Sequence, residues 1–189
     1  MSSSRNSEPT GVRVNTRSGP ADVPFTGPEW WVAAIYLVAA LIAQIEVAHY
    51  FTFRGAQISF VLVVVVWYAL RSDLLGAAAF GLAAGLCEDV FSAQTGAAWT
   101  ISTTMVALFA NYLTRWFFAD SVPVVAGMVI VATLLRRMIF WIVMAIGGYP
   151  PGFARLHLHE ALWESLMNAM LAVIALLLFR RFEEDRPAR

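Results

Sequence analysis

The chain contains no lysine: every one of its cationic side chains is an arginine. No mechanism attaches to that choice of cation. Charge of either sign is scarce, at 14% of residues against about 25% in soluble domains. The formal net charge is zero, which removes the electrostatic footing that a nucleic-acid partner would need. A single cysteine, Cys87, excludes an internal disulfide, and its apolar neighbours make it a small packing residue. No serine elbow, paired cysteine and histidine, Walker glycine loop or H-E-x-x-H zinc pattern is present, so neither an enzyme nor a cofactor is expected.

What the chain does have is apolar length, with 59% hydrophobic residues. Judged against the roughly 20 residues that cross a hydrocarbon core, the apolar stretches predict an all-α membrane protein built as a six-helix bundle. The spans fall at Trp30 to about His49, about Ala56 to Leu70, Leu74 to about Phe91, Ala97 to Thr114, Val122 to Ile146, and about His159 to Phe179. Residues 1–28 are rich in Ser, Pro, Gly, Asn and Thr and read as a disordered cytoplasmic tail without a signal-peptide core. Residues 29–182 form the transmembrane domain, and 183–189 a short cytoplasmic tail.

Arginines outside the spans set the expected orientation. With both termini cytoplasmic, Arg5, Arg13, Arg17, Arg71, Arg115, Arg180, Arg181, Arg186 and Arg189 lie inside, against Arg54 and Arg155 outside. Trp30, Trp31, Trp67, Tyr68 and Trp116 then mark the inner interface, and Trp99, Tyr149 and Trp163 the outer one.

Ionisable residues interrupt four of these spans at one depth. At about 1.5 Å per residue, Glu88 and Asp89 lie roughly 21 to 23 Å from the inner end of the third span. Glu46 in the first span lies at about 24 Å, and Arg136 with Arg137 in the fifth at roughly 21 to 23 Å. His159, Glu160 and Glu164 open the sixth span in the same outer layer. An ionised group costs about 2.5 to 3.5 kcal/mol near a span centre, so pairing inside the bundle is favoured over exposure to lipid. The expectation is a polar cluster in which Arg136 or Arg137 is bracketed by Glu46, Glu88, Asp89 and Glu164. Neighbours on a helix diverge by about 100°, so one member of each adjacent pair joins the cluster while the other caps a helix end or meets a partner helix. Such a cluster either fixes helix rotation or lines a pocket for a small molecule or lipid headgroup. On this reading, removing Asp89 leaves an arginine uncompensated. The histidines of "HLHE", His157 and His159, are two residues apart and point to opposing helix faces, which argues against a metal site.

Ala77, Gly81 and Gly85 recur every four residues, as in closely packed membrane helices, and one further turn reaches Asp89. Ala39 and Ala43 repeat that spacing in the first span. Packing within the bundle is the plainer use of both stripes, and docking of a partner the other. Ser102, Thr103 and Thr104 can satisfy their hydroxyls on preceding carbonyls.

The segment "GLAAGLCEDVFSAQTGAAW" resembles the MreD family of bacterial rod-shape-determining membrane proteins. The positions that carry the resemblance are Gly85, Leu86 and Asp89 at the end of the third span and Gly96 in the following turn. It extends over roughly Trp30 to Phe182, with six spans and almost no loops. The resemblance implies a non-enzymatic, multi-pass scaffold of the bacterial inner membrane. Such a scaffold binds the transmembrane helix of MreC, within an elongation complex of MreB, RodA and a class B penicillin-binding protein that organises lateral peptidoglycan synthesis. The family is similar in fold to the substrate-binding S components of energy-coupling-factor transporters. That similarity supplies an alternative, in which Ala39 and Ala43 face a transporter partner and the outer polar cluster holds a vitamin.

Overall fold

The structure is a computed structural model that describes residues 28–92, 95–114, 121–148 and 154–184, with side chains in the last stretch from Leu158 to Arg181. The expectations for the N-terminal tail, Arg115, Trp116, Tyr149, the side chains of Arg155 and His157, and the C-terminal residues lie outside that set.

Among the described residues, six α-helices and one small ribbon follow in chain order: α1 (Trp30–Glu46), β1 (Thr52–Phe53), β2 (Ala56–Gln57), α2 (Phe60–Ala69), α3 (Leu74–Ser92), α4 (Ala98–Leu113), α5 (Val122–Ile146) and α6 (Ala154–Glu184). A single 3₁₀ turn, Ala48–Tyr50, closes α1. The fifth helix has the bounds that the sequence predicts, and the third and fourth differ by a residue. The second does not: it starts four residues late. Residues 52–57 pair instead as an antiparallel hairpin, with Phe53 opposite Ala56. Arg54 (φ 51°) and Gly55 (φ 84°) both take the left-handed backbone that a two-residue type I′ turn requires. Ser59 then opens α2 by accepting a hydrogen bond from the Leu62 N–H at 3.3 Å.

Three described helical stretches are long and apolar enough to cross a membrane: Leu74–Ser92, Val122–Ile146 and Leu158–Arg181. By contrast α2 has 10 residues, about 15 Å of helix, which does not reach across a core about 30 Å thick. The outward faces of the longer helices are apolar, with Leu82, Leu86, Val131, Met138, Leu166 and Met170 exposed. Side chains of this kind, spread over several helices, form a surface for acyl chains rather than for water. These features describe a membrane protein.

The helix α2 is the core element: Val61, Leu62, Val65, Val66 and Ala69 are buried on nearly all sides. The closest helix pair is α3 against α4. A Cβ placed on Gly81 would stand 2.7 Å from the Ala107 Cβ, and one on Gly85 would stand 2.5 Å from the Thr100 Cα. Ala77 is fully buried. The Ala77, Gly81 and Gly85 stripe is therefore spent inside the bundle, where missing side chains bring two backbones together. The first-span stripe is turned the other way. Ala33, Leu37 and Ala40 face the bundle, whereas Ala39 is exposed and Ala43 half-buried.

The bundle has two dissimilar ends. At one, the hairpin rests on α6: the Trp163 ring meets Phe53 edge-on at 5.0 Å and lies 5.0 Å from the Arg54 guanidinium. Gly55 abuts the Glu160 side chain. At the other, Tyr36, Trp67 and Phe179 form an aromatic group linking α1, α2 and α6. There Asn111 donates to the carbonyls of Ala69 (3.0 Å) and Ser72 (2.7 Å), tying the α2–α3 turn to α4.

Candidate functional site

The ionisable residues of α3, α5 and α6 meet near the hairpin end. Arg136, 2% exposed, projects from α5 between α2 and α3. One terminal nitrogen pairs with Glu88 Oε1, and the other donates to the Ser59 hydroxyl at 3.0 Å. Glu88 accepts a further bond from the Thr103 hydroxyl at 3.1 Å, so α3, α4 and α5 share one ion pair. Arg137 leaves α5 in another direction and donates through Nε to Glu164 Oε2 on α6, at 2.5 Å. Glu164 is 3% exposed. The roughly 100° between adjacent helix positions thus sends the two arginines to carboxylates on different helices.

Trp99 joins the two pairs. The Arg136 guanidinium carbon lies 4.5 Å from its ring centroid and that of Arg137 lies 5.6 Å away. Cations over an indole face gain further stabilisation where water is excluded. Trp99, half-buried, therefore also packs inside the bundle, a role that its reading as a marker of the outer interface does not contain.

A neutral chain of hydrogen bonds continues the network. Asn168 accepts from the Ser59 N–H at 2.7 Å through its side-chain oxygen and donates to the Thr133 hydroxyl at 3.2 Å. Gln44 of α1 spans the entry to α2, donating to the Ile58 carbonyl at 3.1 Å and accepting from the Phe60 N–H at 2.8 Å. Both amides satisfy backbone groups at the point where the hairpin interrupts helical pairing, which a buried chain requires.

Asp89 does something different from Glu88. It accepts four hydrogen bonds: from the Thr95 hydroxyl (2.9 Å), the Trp99 N–H (3.1 Å), the Thr100 N–H (2.8 Å) and the Thr100 hydroxyl (2.5 Å). Trp99 and Thr100 stand in the first turn of α4, whose own preceding residue, Ala97, supplies no capping side chain. Asp89 is thus an N-cap lent by the neighbouring helix, with its negative charge at the positive end of the α4 dipole. Gly85, one turn earlier, permits this. Its missing side chain lets α4 approach close enough for the carboxylate to reach.

Several expectations are corrected by these positions. Among the described residues Asp89 pairs with no arginine, so its removal uncovers none of them; Thr95 and the first turn of α4 take its bonding capacity. Glu46 is exposed and outside the cluster, because α1 turns Gln44, two residues earlier, toward α2. His159 is exposed and accepts from the Trp163 indole at 3.2 Å, while Glu160 lies against the hairpin; neither reaches the arginines. Among the described residues no three His, Cys, Asp or Glu side chains gather as metal ligands. Of the fourth-helix hydroxyls, Ser102 and Thr104 do bond preceding carbonyls, but Thr103 serves Glu88.

Sequence reading missed Gln44, Ser59 and Asn168, and the roles of Thr103 and Trp99. A signal existed for Asn168, an amide in the middle of an apolar helix. Ser59 gave none, since its importance arises from the point where α2 begins.

Beside the two ion pairs lies a cavity of about 190 Å³. Its polar wall includes Gln44, Gln57, Glu88, Arg136, Arg137 and Glu164, and its apolar wall Leu41, Ile45, Ile58 and Phe91. Comparison of the chain with protein-family models, with curated proteins and with solved structures finds no match.

Proposed function

We propose that this protein is a non-catalytic scaffold of the bacterial inner membrane, similar in role to MreD, that holds the span of an MreC-like partner within the cell-elongation machinery. The observation that carries the reading is the Gly85-Leu86-x-x-Asp89 segment with Gly96. These residues, which bear the family resemblance, are the ones that build the α3–α4 corner: Gly85 by close approach, Asp89 by capping α4, and Gly96 by a left-handed turn at φ 60°. A corner fixed in this way presents the outer faces of both helices in one arrangement, and such preorganisation lowers the ordering cost of binding another helix. Both termini are placed in the cytoplasm on this reading.

The test is copurification with an MreC-like span from a rod-shaped bacterium, together with deletion of the gene. Capture of the span and rounding of the cells are expected. Normal rods with no captured span would remove the scaffold reading.

A second reading, the S component of a vitamin transporter, draws on the polar cavity beside Arg136 and Arg137 and on the outward position of Ala39. It requires association with an energy-coupling ATPase and a vitamin retained through purification.

A further inference from the structure

The two ion pairs differ in what they leave unused. Arg136 commits one terminal nitrogen to Glu88 and the other to Ser59. Its remaining Nε is buried and unpartnered, so it offers nothing to a visitor. Arg137 commits only Nε to Glu164, and its side chain is 21% exposed. Both of its terminal nitrogens, and the second oxygen of Glu164, have no hydrogen-bond partner among the described residues. Both residues line the 190 Å³ cavity.

The unused capacity is therefore dipolar: a guanidinium fork at one point and a carboxylate oxygen at another. A plain anion meets a wall with two arginines and two glutamates and gains no net attraction. A group that carries both signs can answer both ends. A planar fork suits a phosphate, which accepts two parallel hydrogen bonds from it. The apolar lining says what else the occupant carries. Ile45 and Phe91, 48% and 61% exposed, line the cavity while also lying on the apolar outer surface. A molecule that lies against them keeps a hydrocarbon portion on the apolar outer surface and a polar portion within.

We propose that this cavity binds a phosphoethanolamine group, with its phosphate on the terminal nitrogens of Arg137 and its ammonium on the free oxygen of Glu164. The apolar wall favours a phospholipid as the source, and free phosphoethanolamine shares the same chemistry. This inference does not rest on the scaffold reading, since a cell-shape phenotype and headgroup binding are measured separately.

The experiment uses the full chain, purified in detergent and stripped of lipid. Binding is read by native mass spectrometry and by thermal stabilisation, with phosphatidylethanolamine, phosphatidylglycerol and free phosphoethanolamine as probes. Phosphatidylethanolamine is expected to bind at least about tenfold more tightly than phosphatidylglycerol, the ratio that one charge-assisted hydrogen bond can supply. Stabilisation by free phosphoethanolamine as well assigns recognition to the headgroup alone; stabilisation by the lipid only assigns it to headgroup and chains together. Arg137→Gln should weaken binding at least about tenfold. Because that variant also breaks an ion pair, Ser92→Trp supplies the control. Ser92 is an exposed residue on the cavity lining, outside both ion pairs, so its replacement should abolish binding with the wild-type melting temperature retained. Equal affinity for the two lipids, or unchanged binding in Ser92→Trp, would overturn the proposal.

Discussion

The two ends of this bundle are held by different forces. At the hairpin end, α3, α4, α5 and the N-cap of α2 meet through Glu88, Thr103, Arg136 and Ser59, and α6 joins through Arg137 and Glu164. Toward the other end, Val66, Leu70, Val125, Val129 and Leu176 pack with the Tyr36, Trp67 and Phe179 rings, and Asn111 supplies the polar tie. In lipid the apolar end gains little from leaving its solvent, because acyl chains are as apolar as leucine; close packing must supply the difference. Directional bonds at the hairpin end add orientation to that packing. Each bond holds the helices it joins at one rotation.

That contrast predicts a ranking of damage. Arg136→Leu leaves the largely buried Glu88 carboxylate without its cation and is expected to cost about 3 kcal/mol, seen as a large fall in melting temperature in detergent. The double change Arg136→Leu with Glu88→Leu should recover most of that loss, since a packed apolar pair often replaces a buried ion pair without penalty. Failure to recover would mean that the network contributes more than the pair itself.

Glycine substitution sharpens the comparison next. Gly85→Ala sets a Cβ against the α4 backbone and should destabilise by about 1 to 3 kcal/mol. Gly127, in the α5 half away from the hairpin, has open space where its Cβ would be. Gly127→Ala should therefore be stabilising by about 0.5 to 1 kcal/mol, through lower backbone entropy in the unfolded chain. The same substitution, measured by the same unfolding assay, thus takes opposite signs in the two regions.

Asp89→Asn keeps the shape and removes the charge at the α4 terminus, with an expected loss of about 0.5 to 2 kcal/mol. Hydrogen exchange should rise first at the amides of Trp99 and Thr100 and leave α5 protected. Exchange rising instead around Arg136 would return Asp89 to the ion-pair network. Gly96→Ala tests backbone conformation alone, since φ is +60° there and nothing lies within 4 Å of the added Cβ. About 1 kcal/mol of backbone strain is expected there.

Much of the frame was legible in the chain. A long apolar run, broken only by Thr133 and the Arg136-Arg137 pair, gives the bounds of α5, and the common depth of Glu88, Arg136, Arg137 and Glu164 anticipates that they meet. Glu46 shows the limit of depth as a guide. It has the right height, but helix rotation turns it outward and brings Gln44 inward instead. Rotation depends on which neighbour packs closest, and a hydrophobic-all-round helix carries no stripe to reveal it. The start of α2 was hidden for a related reason: Arg54-Gly55 is a weaker turn signal than Asn-Gly or Asp-Gly, and the hairpin is anchored by Trp163, 109 residues after Arg54 in the chain.

The sequence alone determined that this is a helical membrane protein, where most helices run, and which helices carry charge at a shared level, because hydropathy and helical rise are local properties. Tertiary structure alone decided that Glu88 pairs and Asp89 caps, that the Gly85 stripe faces inward while Ala39 faces out, and that Ser59, Thr103 and Asn168 complete the network. Those outcomes depend on the relative rotation of packed helices, which no single segment encodes.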